Sequence, residues 1–388
     1  MVKANMNQSR RVMIVAGEAS GDLHGSNLIR AAAEHHPQLS FYGVGGDKMQ
    51  SAGCRIIFPS DELSVMGVVE VVRQLPKIFH RFQQLKRVIR ETEKPDLLIL
   101  IDFPDFNLRL AKVAKAAGVP VLYYISPKVW AWRSGRARII ADRVDRLALI
   151  FPFEPQIYES LDVKAEYVGN PLLDEFIENQ PQGLLRTNLG FEANVQVIGI
   201  FPGSRNSELE YILDTLIETA EILHQQRPDA KFLLPVAPSL SRDFLEQKFV
   251  DAGLPVLIVE ENIYEVAAAC NAILTVSGTV TLQIALVGTP MAILYKVAPL
   301  SYAIGKRLIK IEYAGLTNIV AGRGIVREFI QDAAEPAAMC HEILRLLEDQ
   351  EYIEIMHQNL AEVRQLLGEP GCSVKVAAIA AEMCAEIS

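Results

Sequence analysis

Short apolar runs alternate with helix-length stretches along most of this chain, and that alternation constrains the fold more than any other feature. The runs are almost continuously apolar, which is typical of strands buried on both faces of a parallel sheet. Such strands separated by helices predict β-α-β units. We predict strands at residues 12–15, 41–44, 97–101, 121–125, 147–150, 197–201, 231–234, 256–259, 272–276 and 291–294.

A polar, turn-rich stretch at residues 179–183 interrupts the alternation, which then starts again. After Pro336 the pattern is helical to the end of the sequence. We therefore predict an α/β protein with two Rossmann-like parallel-sheet domains, at residues 1–180 and 181–350. The helices at residues 351–388 are expected to pack back on the first domain.

Composition and charge exclude several classes of protein. Hydrophobic residues make up 50% and charged residues 22% of the 388, which excludes wholesale disorder. The net charge of −9 argues against a dedicated nucleic-acid binder. Five widely spaced cysteines without a CxxC pair predict neither a disulfide framework nor a zinc site, and they indicate a reducing cytosol. We predict no signal peptide and no span of about 20 apolar residues that would cross a membrane.

Two turns in the second half have the composition of phosphate sites, because each places small or hydroxyl residues between a strand and a helix N-terminus. The first turn contains Gly203, Ser204 and Arg205, and the second contains Ser277, Gly278, Thr279, Thr281 and Gln283. Ordinary turns, with a surface arginine and capping hydroxyls, are the alternative. Two such turns fit a diphosphate, and the absence of GxGxxG and GxxxxGK[ST] motifs favours a nucleotide-sugar over NAD(P) or ATP.

Polar side chains also follow two strands of the first half. Asp102 comes directly after the run at 97–101, where a carboxylate is costly unless it is solvated, paired or functional. It is a candidate general base; the alternative is a helix cap, for which Asp105 is better placed. The turn after the first strand offers Glu18, Ser20 and Asp22 as ligand contacts, or is a tight turn with an acidic cap. The DxxD spacing and scattered histidines predict no metal site.

Residues 72–90 form a basic amphipathic pattern without an acidic residue, which reverses the charge of the chain locally. Such a helix can lie on an anionic membrane, although a core-facing helix with a solvated basic face is the ordinary interpretation. The apolar stretch at 63–70 precedes it and suits either a core or a lipid contact. Separately, Trp130 and Trp132 are followed by several arginines, which predicts either a ligand clamp or a packed corner.

Eight segments, in order, resemble the lipid-A-disaccharide synthase family, bacterial glycosyltransferases of the GT-B fold. The segments are GEASGD at 17–22, GVGGDKM at 43–49, LSVMG at 63–67, DFPDFN at 102–107, SPKVWAWR at 126–133, FPFE at 151–154, PGSR at 202–205 and SGT at 277–279. The resemblance extends over about residues 11–331. Because the LSVMG and VWAWR segments are distinctive, a chance match is improbable.

The resemblance implies a reaction and a location. The family joins UDP-2,3-diacylglucosamine to 2,3-diacylglucosamine 1-phosphate, releases UDP and forms a β-1,6-linked disaccharide with inversion at the anomeric carbon. It implies a GT-B cleft between the domains, no metal or other cofactor, and a position at the cytoplasmic face of the inner membrane of a Gram-negative-type cell. The expected partners are the two substrates and the membrane lipids; a homo-oligomer is compatible with the sequence.

The resemblance also assigns residues. Asp102 is the expected base, and Asn318 and Arg323 join the residues of the two turns at the UDP-sugar. The expected acceptor-side residues are Glu18, Ser20, Asp22 and Asn107. A lipid substrate favours membrane contact for the basic helix and the stretch before it, through Met66, Val68, Val69, Arg73, Lys77, Phe79, Arg81 and Phe82.

Departures from the family pattern are Asn170 in place of a common His, Gln283 in place of Glu, and Thr317 in place of Pro. The alternatives are another GT-B activity, such as a UDP-N-acetylglucosamine 2-epimerase or a transferase with a soluble acceptor, a non-catalytic UDP- or lipid-binding module, and a structural protein. A membrane-facing helix argues against a soluble substrate, Asp102 argues against a module without catalysis, and the paired phosphate-type turns argue against a purely structural role.

Overall fold

The computed structural model of this chain describes residues 9–63, 68–131, 135–308 and 311–386. Within the helices it does not describe the side chains of residues 68–74, 300, 301, 304, 307 and 308. The chain divides into two units, Met1–Asp174 with Glu369–Ser388, and Glu175–Gly368. These divisions differ from the predicted ones, which lie at 180/181 and 350/351.

The first unit contains a seven-stranded sheet in the order β3-β2-β1-β4-β5-β6-β7, in which every pairing is parallel. Its strands are β1 Arg10–Ala16, β2 Leu39–Gly45, β3 Arg55–Pro59, β4 Leu97–Ile101, β5 Val121–Tyr124, β6 Arg146–Leu149 and β7 Lys164–Tyr167. Its helices are α1 Ala19–His35, α2 Asp47–Ser51, α3 Val68–Arg87, α4 Pro104–Ala116, α5 Arg136–Ala141, α6 Pro155–Tyr158 and, at the far end of the chain, α17 Cys372–Glu386. A π-helical turn, Val88–Thr92, extends α3.

The second unit contains a six-stranded parallel sheet in the order β10-β9-β8-β11-β12-β13. Its strands are β8 Val197–Phe201, β9 Lys231–Pro235, β10 Val256–Val259, β11 Ala272–Val276, β12 Met291–Tyr295 and β13 Glu328–Ile330. Its helices are α8 Leu185–Asn188, α9 Asn206–Gln226, α10 Arg242–Asp251, α11 Ile263–Ala269, α12 Val280–Val287, α13 Pro299–Leu308, α14 Leu316–Ala321, α15 Pro336–Glu348 and α16 Gln350–Leu366. Helix α7, Pro171–Glu178, crosses the division between the units.

Apolar side chains on both faces of the first sheet form two cores. One core joins the sheet to α1 and α17 through residues such as Leu28, Val376 and Met383. The other joins it to α3 and α4 through residues such as Leu85 and Leu110. The near-continuous apolar strands follow from this arrangement, because neither face of a central strand reaches water.

The C-terminal helices are divided between the two units. Helix α17 packs against α1 in the first unit, as predicted for the C-terminal helices. Helix α16, which was expected to accompany it, instead packs against α12 and α14 in the second unit. The polar stretch at 179–183 also belongs to the second unit, because the Glu265 carboxylate on α11 accepts hydrogen bonds from the backbone N–H groups of Gln182 and Leu184 at 2.7 and 2.8 Å.

Candidate active site

Each sheet has one point where the strand order reverses, and ligands of open α/β sheets bind beyond the carboxyl ends of the strands at that point. In the first sheet the reversal lies between β1 and β4, and in the second it lies between β8 and β11. The turns after β1 and β4 contain Glu18 and Asp102. The turns after β8 and β11 contain both predicted phosphate motifs. The topology therefore places Glu18 and Asp102 at one edge of the first sheet, and the two phosphate-type turns at one edge of the second sheet.

Asp102 occupies an unusual backbone conformation at the end of β4. Its φ is 44°, and the next residue, Phe103, has a φ of 47° and is the N-cap residue of α4. Burial, and next the negative charge of Glu18, raise the pKa of the Asp102 carboxyl, while Lys128 and the Phe103 N–H oppose that rise. A carboxylate with a raised pKa is a stronger base, which is what removing a proton from a hydroxyl requires.

A cap does not explain Asp102. Within the described residues, α4 has no side-chain cap hydrogen bond. The expectation that Asp105 caps the helix is therefore wrong: its carboxylate pairs instead with the Arg136 guanidinium at 2.6 Å. The capping alternative fails for both aspartates, so the position of Asp102 at the switch point needs another reason.

Gly17 lets the turns after β1 and β4 approach each other. A Cβ atom there would lie 2.5 Å from Cδ1 of the Phe103 ring, too close for any side chain. Glu18 follows as the N-cap residue of α1, and Ser20 is exposed in the first turn of that helix. Glu18 and Ser20 are thus exposed at the same edge of the sheet as Asp102.

Asp22 and Asn107, expected on the acceptor side, hold backbone instead. The buried Asp22 carboxylate accepts hydrogen bonds from the N–H groups of Gly46, Lys48 and Met49 at 2.6–3.1 Å, which stabilises the start of α2. The buried Asn107 amide donates to the main-chain oxygens of Ile101 and Asp102 at 3.2 and 2.8 Å. The Asp22 carboxylate and the Asn107 amide nitrogen are therefore taken up by backbone groups, including the Asp102 oxygen, whereas the buried Oδ1 of Asn107 has no hydrogen-bond partner among the described residues.

Trp130 lies in a packed corner, the second of the two interpretations of its segment. Its ring makes edge contacts with Phe151 and Phe153, and its indole N–H donates to the Glu154 carboxylate at 3.2 Å. Burial raises the pKa of Glu154 to about 7, although N–H donors oppose the rise. The FPFE motif contains Glu154, but the residue types around it do not indicate this contact. Trp132 lies outside the described residues.

The first phosphate-type turn, after β8, has the geometry that the motif predicts. Gly203 has a φ of 84°, and a Cβ there would lie 2.7 Å from Cγ2 of Val276 at the end of β11, so only glycine fits. Ser239 donates a hydrogen bond to the main-chain oxygen of Ser204 at 2.5 Å. Arg205 precedes α9, with its side chain 69% exposed and 2.8 Å from the Glu208 carboxylate. The exposed guanidinium is held close to the helix N-terminus.

The second turn, after β11, leaves room for a ligand. No heavy atom of the described chain lies within 4 Å of the Cβ position at Gly278 beyond its own neighbours. Thr279 is the exposed N-cap residue of α12, and its hydroxyl makes no capping hydrogen bond within the described residues. The Ser277 and Thr281 hydroxyls donate to the main-chain oxygens of Ala314 and Gly278 at 2.6 and 2.9 Å. Capping therefore does not account for Thr279, whereas Ser277 and Thr281 shape the turn.

Asn318 and Arg323 have partners within their own unit. The buried Asn318 amide donates to the Val326 oxygen and to Glu328, and its oxygen accepts from the N–H groups of residues 325 and 326. These bonds use its full donor and acceptor capacity. Arg323 pairs with Glu362 on α16. Glu328, which sequence reasoning missed, also accepts from the N–H groups of residues 314 and 315 and so fixes the loop that Ser277 contacts.

All three departures from the family pattern make contacts within the described residues. The Asn170 side chain donates to the Ile150 oxygen at 3.1 Å and accepts from the Leu172 N–H at 3.0 Å, so it caps the start of α7. The Gln283 amide donates to the Glu175 carboxylate at 3.2 Å. Thr317 is buried, and its hydroxyl donates to the Thr281 oxygen at 2.9 Å, so it ties α14 to α12.

Helix α3 presents both a core face and an exposed face. Phe82 was expected to contact lipid; it is half-buried and its ring packs edge-on against Phe106, so part of it belongs to the core face. Phe79 is 62% exposed and Leu75 52% exposed, so the helix leaves two large apolar side chains in solvent. Met66 lies outside the described residues, and the structure describes the helix but not the side chains at Val68, Val69 and Arg73.

Two of the basic residues of α3 form ion pairs with an acidic residue that precedes the helix. Glu62, just before the helix, accepts two hydrogen bonds from the Arg81 guanidinium at 2.7 and 3.0 Å. It also pairs with Lys77 at 3.4 Å. Arg81 and Lys77 therefore contribute to the fold, and the exposed apolar pair is the stronger candidate for a surface contact.

The described residues contain neither a cluster suited to a metal ion nor a membrane-spanning helix. No group of three or more His, Cys, Asp or Glu side chains there could hold a metal ion. No helix there is long and apolar enough to span a bilayer.

Comparison with known proteins identifies the family. The profile of the lipid-A-disaccharide synthetase family matches residues 12–382. A lipid-A-disaccharide synthase from Syntrophotalea carbinolica is 56% identical over 98% of this chain and 97% of its own length, and one from Geobacter metallireducens is 48% identical over 97% of each. The crystal structure of a UDP-GlcNAc 2-epimerase from Neisseria meningitidis bound to UDP-GlcNAc superposes with a TM-score of 0.63, covering 96% of this chain and 100% of that one at 13% identity.

The epimerase likeness shows only a shared GT-B fold, since its sequence identity is too low to carry more. The full-length matches at 48% and 56% identity decide between the activities that this fold supports. The chain belongs to the lipid-A-disaccharide synthase family.

Proposed function

We propose that this protein transfers 2,3-diacylglucosamine from UDP to the 6-hydroxyl of 2,3-diacylglucosamine 1-phosphate, with Asp102 as the general base. The unit Met1–Asp174 with Glu369–Ser388 would receive the acceptor, and the unit Glu175–Gly368 would bind the UDP-sugar. The observation that carries the proposal is the half-buried Asp102 carboxyl, with its raised pKa, at the switch point of the first sheet. Family membership supplies the substrates.

The proposed reaction is a single displacement at C1 of the donor sugar. The Asp102 carboxylate takes the proton of the acceptor hydroxyl as that oxygen attacks C1 of the donor sugar. The new C1–O bond forms on the face opposite UDP, and the C1–O bond to the diphosphate breaks with its electron pair going to UDP. The anomeric carbon is inverted, which gives the β-1,6 linkage. A base near the reacting hydroxyl typically contributes about 10²–10⁴-fold to the rate.

The diphosphate would lie on the turns after β8 and β11. Free N–H groups and the dipoles at the starts of α9 and α12 favour negative charge there. Arg205 would leave Glu208, or contact both at once, to stabilise the charge that grows on the leaving UDP. Gly278 and the Thr279 hydroxyl line the open part of the second turn. Gln283 would contact the ribose. This set supplies the charge stabilisation without a metal ion.

We further propose that the protein lies peripherally on the cytoplasmic face of the inner membrane, through α3. The exposed Leu75 and Phe79 side chains support this, because burying an apolar side chain of that size in lipid contributes about 1.5–3 kcal/mol. Arg87 and Arg90, exposed at the end of the same helical segment, would face anionic headgroups. A diacylated acceptor and donor both require access to such a surface.

The proposed reaction is tested by incubating the purified protein with UDP-2,3-diacylglucosamine and 2,3-diacylglucosamine 1-phosphate. Mass spectrometry should detect the disaccharide 1-phosphate in a one-to-one ratio with released UDP. UDP release without the acceptor, or interconversion of UDP-sugars without a new glycosidic bond, would contradict it. UDP-N-acetylglucosamine as donor is the matched control and should give no disaccharide.

A further inference from the structure

Three residues at the candidate site have left-handed backbone conformations although none is glycine. They are Asp102, Phe103 and Ile125, with φ of 44°, 47° and 63°. Asp102 and Phe103 directly follow β4, and Ile125 directly follows the neighbouring strand β5. A side chain with a Cβ atom avoids this region, so the surrounding structure must hold these residues there. Strain of this kind is concentrated where the fold sets the direction of a functional group.

The main-chain oxygen of Asp102 accepts hydrogen bonds from two side chains. The Tyr123 hydroxyl donates to it at 2.5 Å, and the Asn107 amide donates to it at 2.8 Å. The N–H of Asp102 is bonded to the oxygen of Tyr124 at 3.2 Å, which continues the ladder of the sheet. Tyr123 is fully buried on β5, so its hydroxyl has a fixed position. Strand β5 therefore holds the N–H of Asp102, and β5 and α4 together hold its main-chain oxygen.

We propose that Tyr123 is a positioning residue, whose hydroxyl holds Asp102 in its left-handed conformation and thereby aims the carboxylate at the acceptor. This inference rests on the proposed role of Asp102 as base. Without the hydroxyl, only the Asn107 amide still holds the Asp102 oxygen, so Asp102 turns more easily toward a common conformation, and the carboxylate moves with it. A displacement of about 1 Å at a reacting group can cost about 10²-fold in rate.

The groups that face Asp102 make this displacement visible in a pH profile. They are Glu18 from the turn after β1, Lys128 from the loop after β5, the Phe103 N–H of its own turn, and Tyr123 beneath it. Burial and the charge of Glu18 raise the Asp102 pKa above its ordinary value. A carboxylate that moves out of this position gains water and feels the charge of Glu18 less. Its pKa then falls, and the acid limb of kcat moves to lower pH.

Tyr124 supplies a matched control on the same strand. It is also fully buried, and its side chain points to the opposite face of the sheet, where its hydroxyl lies 3.3 Å from Sγ of Cys372. Replacing either tyrosine with phenylalanine removes one buried hydroxyl from β5. Only the change at Tyr123 removes a hydrogen bond to Asp102.

The experiment compares Tyr123→Phe with Tyr124→Phe in the full-length enzyme, measuring kcat, KM for both substrates and the pH profile. For Tyr123→Phe we expect kcat to fall by about tenfold or more, both KM values to stay within about twofold, and the acid limb to move to lower pH. Tyr124→Phe should keep the wild-type kcat and acid limb. A Tyr123→Phe enzyme with wild-type kcat and an unmoved limb would overturn the inference, as would equal losses in both variants.

Asn107→Leu keeps the test decisive if Tyr123→Phe does not fold. It removes the other donor to the same oxygen, and the same fall in kcat with unchanged KM is expected; a wild-type kcat would count against the inference.

Asp102→Asn separates this inference from the one on which it rests. If Asp102→Asn is fully active, the base assignment itself fails. If Asp102→Asn is inactive while Tyr123→Phe behaves as wild type, only the positioning role fails.

Discussion

At the scale of single residues, the chemistry depends on how the charges around Asp102 set its pKa. The Glu18 carboxylate disfavours the ionised form of Asp102, and Lys128 favours it. Glu18 lies after β1 and Lys128 after β5, on either side of β4 in the sheet. The same sheet order that forms the switch point therefore also determines the strength of the base.

This arrangement predicts the pH dependence of catalysis. Because Asp102 must be ionised to accept a proton, kcat/KM should fall as the pH drops through its raised pKa, above the range of an ordinary aspartate. Glu18→Gln removes the like charge and should move this limb to lower pH, whereas Lys128→Met should move it to higher pH. Glu34→Gln, an exposed carboxylate change on α1, is the control and should leave the limb in place. Movement of the limb in the opposite directions would contradict the account.

Arg205 should contribute to the affinity for UDP. Loss of a charge-assisted hydrogen bond to a diphosphate costs about 1.5–3 kcal/mol, so Arg205→Ala should weaken UDP binding by roughly one to two orders of magnitude in calorimetry. Arg242→Ala is the matched control, since Arg242 is also an exposed arginine near a helix N-terminus in the same unit and is paired with Glu260 at 3.0 Å. Equal UDP affinities for wild type and Arg205→Ala would remove this residue from the site.

The sequence predicted which polar residues lie at the switch points, but not which of their side chains hydrogen-bond to the protein's own backbone. Asp102 could be predicted because it follows a buried strand directly, and the structure leaves its carboxylate at that edge. Asp22, Asn107 and Asn318 have the same polar character, yet their side chains bond to backbone groups. The Asp22 partners lie up to 27 residues away, so no local pattern reveals them. The main-chain partners of Asn107 and Asn318 lie within eight residues, but those bonds depend on turns that the residue types alone do not specify.

At the scale of secondary-structure elements, the strands that the sequence missed lie at sheet edges. All ten predicted strands are present, whereas β3, β7 and β13 were not predicted. β3 and β7 are the two edges of the first sheet, and β13 is an edge of the second. An edge strand is covered on fewer sides, so its sequence does not need a continuous apolar run; β7 reads KAEY and none of its residues is fully buried.

Helix α3 carries a prediction about membrane binding. Charge reversal at Arg73, Lys77 and Arg81 would be a confounded test, because Lys77 and Arg81 form ion pairs with Glu62. Leu75→Ser with Phe79→Ser instead removes exposed apolar area and leaves those ion pairs intact. We expect this double variant to sediment less with anionic vesicles and to keep its activity on detergent-solubilised substrates.

The control for that experiment is Phe244→Ser with Val250→Ser on α10, which removes two similarly exposed apolar side chains from the second unit. This control should bind vesicles as the wild type does. Equal sedimentation of the α3 variant and the wild type would show that α3 is not the membrane contact, and the interpretation of a solvated basic face would then hold.

At the scale of the whole molecule, catalysis is proposed to draw on protein groups from both units and on no metal ion. Because Arg205 and the N-termini of α9 and α12 are proposed to stabilise the charge on the diphosphate, we expect kcat and KM to survive exhaustive treatment with EDTA followed by gel filtration. Loss of activity that Mg²⁺ or Mn²⁺ restores would mean that a cation takes the place assigned to Arg205 and the helix N-termini.

The most direct test of the central claim is the turnover of Asp102→Asn compared with its affinity for UDP. The substitution keeps the shape of the side chain but removes its ability to accept a proton from the acceptor. We predict that kcat falls by about 10²-fold or more, while the dissociation constant for UDP stays within about twofold of wild type because the proposed UDP site lies in the other unit. An Asp102→Asn enzyme that retains more than about a tenth of the wild-type kcat would contradict the assignment of Asp102 as the base.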